Sequence, residues 1–191
     1  MTDAGQSEGG VHDPARPRLP GELVMWVLIA SELAVFGAAL LIFLVLRLGD
    51  VEGFAAAQGQ LHRLSAGLNT VVLVTSGYGA ACAVGAARRG DRAAVRRWLG
   101  GVALLGAVFL LLKGVEYADA ARQGLGLETH VFFTFYWLLT LFHAAHVVAG
   151  MVILGLVAIR AGAEAVEAGA QFWHMVDLVW VLLFPVIYLL R

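Results

Sequence analysis

The sequence predicts an all-α membrane protein, a polytopic bundle of five transmembrane helices. Of its 191 residues, 60% are hydrophobic and only 14% are charged, against about 25% charged in a typical soluble domain. So little charge cannot cover a soluble globule with polar surface, and this hydrophobicity excludes intrinsic disorder. Five apolar segments reach the length of about 20 residues that a spanning helix needs. They are expected to span residues 22–47, 67–87, 98–117, 130–159 and 171–190.

Composition and motifs exclude several classes of function. The 13 basic and 14 acidic residues almost balance, whereas a nucleic-acid-binding protein shows a basic excess. Cys82 is the only cysteine, which excludes a disulfide within the chain and a cysteine-rich zinc or iron–sulfur site. The sequence has neither a glycine-rich phosphate-binding motif nor a G-x-S-x-G nucleophile motif, so nucleotide chemistry and serine hydrolysis are not indicated.

A flexible cytoplasmic tail over residues 1–20 is expected to precede a single membrane domain over residues 21–191. The tail contains three prolines and several glycines, a composition typical of segments without regular structure. The first apolar segment is too long for the core of a cleaved signal peptide, so we expect it to be retained as a span.

The distribution of positive charge predicts the orientation. The basic loop over residues 88–97 carries five arginines, and cytoplasmic loops are enriched in arginine and lysine. A cytoplasmic N-terminus places roughly twice as many of these residues inside as outside. With five spans, the C-terminus is then expected outside.

Ionisable residues inside the predicted spans are the candidate functional residues. Charge at membrane depth costs at least about 2.5–3.5 kcal/mol and therefore needs a compensating role. Glu32 lies near the middle of the first span. Three further spans each carry two polar residues three positions apart, which places both on one helix face. These pairs are Lys113 with Glu116, His143 with His146, and His174 with Asp177.

We expect these residues to form a polar seam in which each finds a partner on another helix. Glu32 facing a histidine of the fourth or fifth span would lower the cost of burying both groups. A metal or haem site is another interpretation, with His143, His146 and His174 as possible ligands. Helix–helix hydrogen bonding is the commoner use of such histidines in a bundle, and a proton-handling role is a third interpretation.

Residues near the ends of the spans are candidate lipid contacts, because basic groups bind lipid phosphates and tryptophan favours the membrane interface. The candidates are Arg63, Arg96, Arg97, Lys113, Trp26 and Trp173. The loop arginines also act as topology determinants, which is the simpler interpretation. Small residues let helices approach closely, so bulky substitutions at Gly37 or Gly150 are expected to loosen the packing.

Five motifs resemble those of subunit III of the haem-copper terminal oxidases, in its short five-helix form. They are MWVLIASELAVFGA, LNTVVLVTSGY, KGVEY, LFHAAHVVAGMVIL and FWHMVDLVWVLLFPVIYLL, and they follow the family's order from about residue 22 to the end. The segment HVFFTFYWLLTLFHAAHV departs from the common Thr-Gly-Phe-His form. There the chain resembles the subunit-III-like protein encoded with bacterial nitric oxide reductases, and quinol-oxidase subunit III is also similar.

The resemblance implies a non-catalytic accessory subunit of a bacterial inner-membrane oxidase. Such a subunit packs beside catalytic subunit I, holds phospholipid between its helices, and supports proton uptake and lasting turnover in oxygen reduction. The implied fold sets two helices apart from three, in a V with lipid in the cleft. Haem and copper are expected in the partner subunit, with no metal in this chain.

The resemblance also implies roles for single residues. Glu32 matches the family's buried, carbodiimide-reactive glutamate. The residues that match its other intramembrane polar positions are Glu116, His143, His146, His174 and Asp177.

Three other functions stay open at this point. A nitric-oxide-reductase-associated subunit is the alternative within the family. A small independent proton-linked transporter would use the polar seam alone, and transport by the purified chain would identify it. A membrane enzyme with haem or metal at His143, His146 and His174 would show bound metal or a Soret band in the isolated chain.

Overall fold

The computed structural model describes residues 23–160 and 162–190, and no strand occurs in this part of the chain. The helices are α1 (Leu23–Gly49), α2 (Val51–Gln58), α3 (Arg63–Arg88), α4 (Arg92–Arg122), α5 (Val131–Arg160) and α6 (Ala163–Phe184), and α6 ends in the π-helical turn Pro185–Leu189. All except the short α2 are long and apolar enough to cross a membrane. The predicted all-α polytopic bundle of five spanning helices is therefore confirmed. The predicted tail over residues 1–20 lies outside the described residues.

The helices extend beyond the predicted spans. The third span was predicted over residues 98–117, whereas α4 covers Arg92–Arg122. Its start is set by Asp91, whose side chain accepts a hydrogen bond from the backbone amide of Ala94 at 2.9 Å, as an N-cap residue does. Hydropathy marks only the lipid-facing part of such a helix, while the cap marks its true start.

Four helices form the centre of the bundle. α6 packs on α3 and α5, and α4 packs on the same two helices from the other side. α1 lies outside this group, against α5 and α6. These contacts correct the expected division into two helices set apart from three, because α3 packs on α4 and α6 rather than with α1.

Small residues on α3 explain this grouping. Gly77 faces the Asp177 side chain of α6, and Gly79 faces Val102 of α4 so closely that an added Cβ would lie 3.0 Å from it. Glycines at such points let helix backbones approach closely in a membrane. α3 therefore presents close-packing positions to two neighbours at once.

The C-terminal end of α6 is held by side chains from α1 and α2. Arg47 Nη1 donates a hydrogen bond to the carbonyl of Leu190 at 2.5 Å, and Gln58 Nε2 donates to the carbonyl of Ile187 at 2.8 Å. These carbonyls belong to the last turn, where a helix lacks internal donors. The burial of both side chains follows from this capping role.

Asp50 links α2 to the start of α5. Its carboxylate accepts hydrogen bonds from His130 Nε2 and from the amide of Gly53, both at 3.0 Å. The bond from His130, and then that from Gly53, hold the pKa of Asp50 below its ordinary value. Stability from a carboxylate with a lowered folded-state pKa is lost only as pH falls through that pKa. The contribution of this carboxylate to stability is therefore lost in acid.

Trp173 fills the centre of the bundle and is fully buried. Its Nε1 donates a hydrogen bond to Ser76 Oγ at 2.9 Å, and its ring lies against Gly106 and Gly150. The side chain is thus enclosed by protein, contrary to the expectation of a lipid contact. A polar indole nitrogen with a partner inside the bundle explains the difference.

We predict that Gly150→Leu destabilises the bundle by about 1–3 kcal/mol, the usual cost of overpacking. A Cβ at this position would lie 2.8 Å from the Trp173 ring, whereas at Gly37 no atom lies within 4 Å. Gly37→Leu is therefore the matched control, and the expectation that it loosens packing is corrected. Thermal unfolding of the purified variants in mild detergent tests this. Equal midpoints for the two variants would contradict it.

Candidate functional site: polar clusters inside the membrane

The structure divides the predicted polar seam into three separate pairs. Lys113 with Glu116 lies inside the bundle, Glu32 with His146 lies between α1 and α5, and His174 with Asp177 lies on α6. His143 belongs to none of these pairs. The predicted polar residues therefore do not form one continuous seam.

The Glu116 cluster is the most enclosed of the three. Lys113 Nζ donates a hydrogen bond to Glu116 Oε1 at 2.9 Å. The Tyr136 and Tyr188 hydroxyls donate to the same oxygen at 2.7 and 2.6 Å. The two charged side chains are only 1% and 6% exposed. The predicted pairing of Lys113 with Glu116 is confirmed, and the cluster joins α4, α5 and the end of α6.

Aromatic rings surround the Lys113 ammonium. Its nitrogen lies 4.8–5.4 Å from the ring centroids of Tyr117, Tyr136, Trp180 and Tyr188. Ring faces attract a cation at this distance, and more strongly where water is excluded. The ammonium therefore has its partners inside the protein, contrary to the expectation that Lys113 contacts lipid phosphate.

A narrow crevice leads from Glu116 to the surface at the end of α4. It has a volume of about 10 Å³, close to that of one water-sized sphere. His62 and Asp119 line it, and His62 Nε2 lies 3.0 Å from Asp119 Oδ2. Glu116 is thus the one member of its cluster that reaches toward the aqueous side.

The Glu32–His146 pair joins α1 to α5. Glu32 Oε2 lies 3.2 Å from His146 Nε2, an ion-pair distance, although the two groups are not aligned as a hydrogen bond. His146 Nδ1 lies 2.8 Å from the carbonyl of Phe142, to which it donates, so Nε2 is the nitrogen that faces Glu32. The two side chains stay 21% and 16% exposed. The predicted pairing of Glu32 with a histidine of the fourth span is confirmed.

His143 is fully buried, and neither of its ring nitrogens has a hydrogen-bond partner among the described residues. Its ring centroid lies 5.2–6.5 Å from those of Trp180, Phe109 and Phe36. The expected helix–helix hydrogen bond is therefore wrong for this residue. Its neighbours offer ring faces and edges instead of polar atoms.

The predicted ligand set for a metal or haem does not assemble. His143 lies in its aromatic surround, His146 faces α1, and His174 lies toward Gly77 of α3. Within residues 23–160 and 162–190, no group of three or more histidine, cysteine, aspartate or glutamate side chains could hold a metal ion. The three histidines do not converge on one metal site.

The other candidate lipid contacts lie at the helix ends. Arg96, Arg97 and Trp26 are exposed, and Arg63 is half-buried at the start of α3. Arg96 also donates to the carbonyl of Ala158 at 3.4 Å. Four of the six candidates thus lie where headgroups could reach them.

Sequence reasoning missed the two tyrosines that bind Glu116. Neither Tyr136 nor Tyr188 is among the candidate residues of the sequence. A buried tyrosine hydroxyl needs a hydrogen-bond partner. Tyrosines that lie several positions inside a span, in a sequence that also places a carboxylate in a span, are therefore the signal that could have found them.

Comparison with known proteins assigns the family. The family model described as cytochrome c oxidase subunit III matches residues 60–191. Cytochrome c oxidase subunit 3 of Corynebacterium diphtheriae is 32% identical over 176 residues, covering 86% of this chain and 85% of that protein. The chain belongs to the cytochrome c oxidase subunit III family. The probable cytochrome c oxidase subunit 3 of Nocardia farcinica is 30% identical over 190 residues, which cover 95% of this chain and 93% of that protein.

The family assignment places these polar clusters in a subunit of an oxidase. The chain is an accessory subunit III of a haem-copper oxidase and associates with other oxidase subunits. Its five apolar helices make it a multi-pass membrane protein. The pairs within its spans are accordingly those of an accessory oxidase subunit.

We predict that Lys113→Met destabilises the subunit by about 3–5 kcal/mol, because it leaves the Glu116 carboxylate buried without its cation. Adding Glu116→Gln should recover part of that loss, since the second change removes the unpaired charge. The exposed pair Arg88–Glu167, 3.2 Å apart, is the control and should contribute no more than about 1 kcal/mol. Unfolding of the single and double variants in detergent measures both couplings. Equal coupling energies for the two pairs would contradict this prediction.

Proposed function

We propose that this subunit packs beside catalytic subunit I of a bacterial inner-membrane oxidase, and that it supports proton uptake and stable turnover in oxygen reduction. The Glu32–His146 contact between α1 and α5 carries the proposal. A carboxyl and an imidazole at 3.2 Å can exchange a proton, whichever of the two holds it. Haem and copper belong to the partner, and this chain contributes no catalytic residue.

The depth and exposure of this pair support a proton-related role. Glu32 lies nine residues into α1, about 14 Å along the helix axis, well inside the membrane. The pair is nevertheless partly exposed at the outer face of the chain. A partner subunit against α1 and α5 would therefore meet groups that hold a proton at membrane depth.

Phospholipid is the other ligand that we propose. A groove of about 340 Å³ lies between the end of α1 and the C-terminal turn, lined by Leu44, Leu48, Val51, Leu190 and Arg47. Its aliphatic lining suits acyl chains. The exposed Arg96, Arg97 and Trp26 suit headgroups at the opposite ends of the helices.

We also propose the orientation and the domain organisation. The α3–α4 loop with its arginines lies in the cytoplasm, together with the N-terminal tail, and the C-terminus lies outside. Residues 21–191 form one membrane domain after the tail over residues 1–20. The packing of α3, α4, α5 and α6 into one group supports a single unit.

Purification from the native membrane tests the assignment to an oxidase. The tagged chain, isolated in mild detergent, should be recovered with a large haem-containing subunit, identified by absorption spectrum and mass spectrometry. A colourless chain recovered alone would contradict the proposal. A nitric oxide reductase as partner would favour the alternative that the segment HVFFTFYWLLTLFHAAHV suggests.

We predict that Glu32→Gln leaves assembly intact but lowers proton-linked turnover or shortens its duration. The glutamine keeps the shape of the side chain and removes its exchangeable proton. Glu52→Gln on the exposed face of α2 is the matched control. Proton uptake and inactivation of the purified complex are the measurements, and unchanged values for Glu32→Gln would contradict the proposed role.

The Glu32–His146 contact itself is tested by a double substitution. Glu32→Gln with His146→Asn should be no worse than the worse single variant, because either change alone removes the interaction. Additive losses of turnover or stability would show that the two residues act separately.

A further inference from the structure

We propose that the crevice beside Glu116 binds one water molecule, and that this water connects the buried Glu116 cluster to the aqueous side of the bundle. The water donates one hydrogen bond to Glu116 Oε2 and another to the carboxylate of Asp119. The inference concerns this chain alone. It therefore goes beyond the proposed function and does not depend on which enzyme the subunit joins.

The crevice has the size and the lining of a site for one water. Its volume is about 10 Å³, and roughly 10–15 Å³ is the least space that holds a water molecule. Buried water occupies polar sites, whereas apolar cavities stay dry. Five of the eight residues that line this crevice are polar or charged, namely Gln60, His62, Glu116, Asp119 and Gln123.

Glu116 has an acceptor that no protein donor uses. Its side chain is only 6% exposed, and Lys113, Tyr136 and Tyr188 all donate to the same oxygen, Oε1. The other oxygen, Oε2, accepts no hydrogen bond from the described residues, and unlike Asp177 Oδ1 it is not sealed inside the protein. An unpaired carboxylate oxygen this deep in a protein is costly. A water in the crevice supplies the missing donor.

Asp119 offers the water a second acceptor. It lies three positions after Glu116 on α4, which brings the two carboxylates to one face of the helix. His62 Nε2 and Gln123 Nε2 lie 3.0 and 3.2 Å from Asp119 Oδ2, so Oδ1 is left for the water. The side-chain amide of Gln60 is a further group in the lining. The crevice thus provides the two to four polar partners that an ordered water needs.

The crevice opens near the end of the bundle. Glu116 is six residues before Arg122, the last residue of α4, about 9 Å along the helix axis. Exposure of the side chains rises outward, from 6% for Glu116 to 40% for Asp119 and 65% for His62. Bulk water therefore has a short polar path to the Glu116 carboxylate.

The bound water gives the buried cluster a route for hydrogen exchange. A proton passes from Lys113 Nζ to the Glu116 carboxylate and from there to the water. A proton from the aqueous side returns by the same steps in reverse, so the cluster gains and loses no charge. The ammonium can then exchange its hydrogens while the helices stay packed.

Hydrogen exchange at Lys113 tests this connection. Lys113 is the only lysine of the chain, so lysine labelled with nitrogen-15 gives a single ammonium resonance in the full-length protein. After transfer to heavy water in mild detergent, its hydrogens should exchange faster than the most protected backbone amides of α4, which exchange only when the bundle opens. Equal rates would overturn the inference.

A matched pair of variants tests whether the crevice is the route. Ala120 lines the crevice and is buried, whereas Ala121 is exposed. Ala120→Val should displace the water and abolish the fast exchange at Lys113, and Ala121→Val should leave it unchanged. Rates are compared with the protected amides of the same variant, because a weakened fold raises both. Fast exchange that persists in Ala120→Val would overturn the inference.

A cryo-electron microscopy map of the purified complex tests the site directly. We expect a water peak about 2.5–3.0 Å from Glu116 Oε2, the range of oxygen–oxygen hydrogen bonds. An empty crevice in a map that resolves ordered water elsewhere in this subunit would overturn the inference and leave the proposed function intact. The exchange measurement needs no oxidase partner, so failure of the proposed function is seen separately, in the purification.

Discussion

The packing of three helices depends on one carboxylate oxygen, Oε1 of Glu116. Lys113 of α4, Tyr136 of α5 and Tyr188 at the end of α6 all donate to it. Without water, each of these donors would be left unsatisfied if a helix moved, at a cost of several kcal/mol in a membrane. Side chains of α1 and α2 in turn bind the last carbonyls of the C-terminal turn that contains Tyr188. The peripheral helices thus fix the central cluster.

The three polar pairs differ in how far the chain itself satisfies them. The Glu116 cluster has every donor directed at one oxygen and is closed to lipid. The Glu32–His146 pair is partly open, and the His174–Asp177 pair is the least satisfied, with a free carboxylate oxygen. The Glu116 cluster, whose hydrogen bonds are made inside the chain, therefore stabilises the fold, whereas the Glu32–His146 pair stays accessible at membrane depth.

Local helix geometry was predictable from the sequence, and contacts between distant helices were not. Spacing of three residues is enough to pair Lys113 with Glu116, because the helix repeat brings both side chains to one face. The same spacing misled for His143 and His146, whose surroundings differ because neighbouring helices set them. The division into two and three helices failed for a related reason, since it depends on where Gly77 and Gly79 meet other helices. Tyr188 lies 72 residues from Glu116, and no local pattern reports that contact.

His143 and Asp177 both lack hydrogen-bond partners for buried polar atoms, yet the two lead to different conclusions. His143 is fully buried and lies among the rings of Phe36, Phe109 and Trp180. Its unpaired nitrogens are therefore a cost of packing the bundle centre. Asp177 is buried as well, at 8% exposure, but it lies beside His174, whose side chain is 48% exposed. The imidazole is thus the part of this pair that the surroundings of the chain reach, whereas the carboxylate belongs to the interior of the bundle.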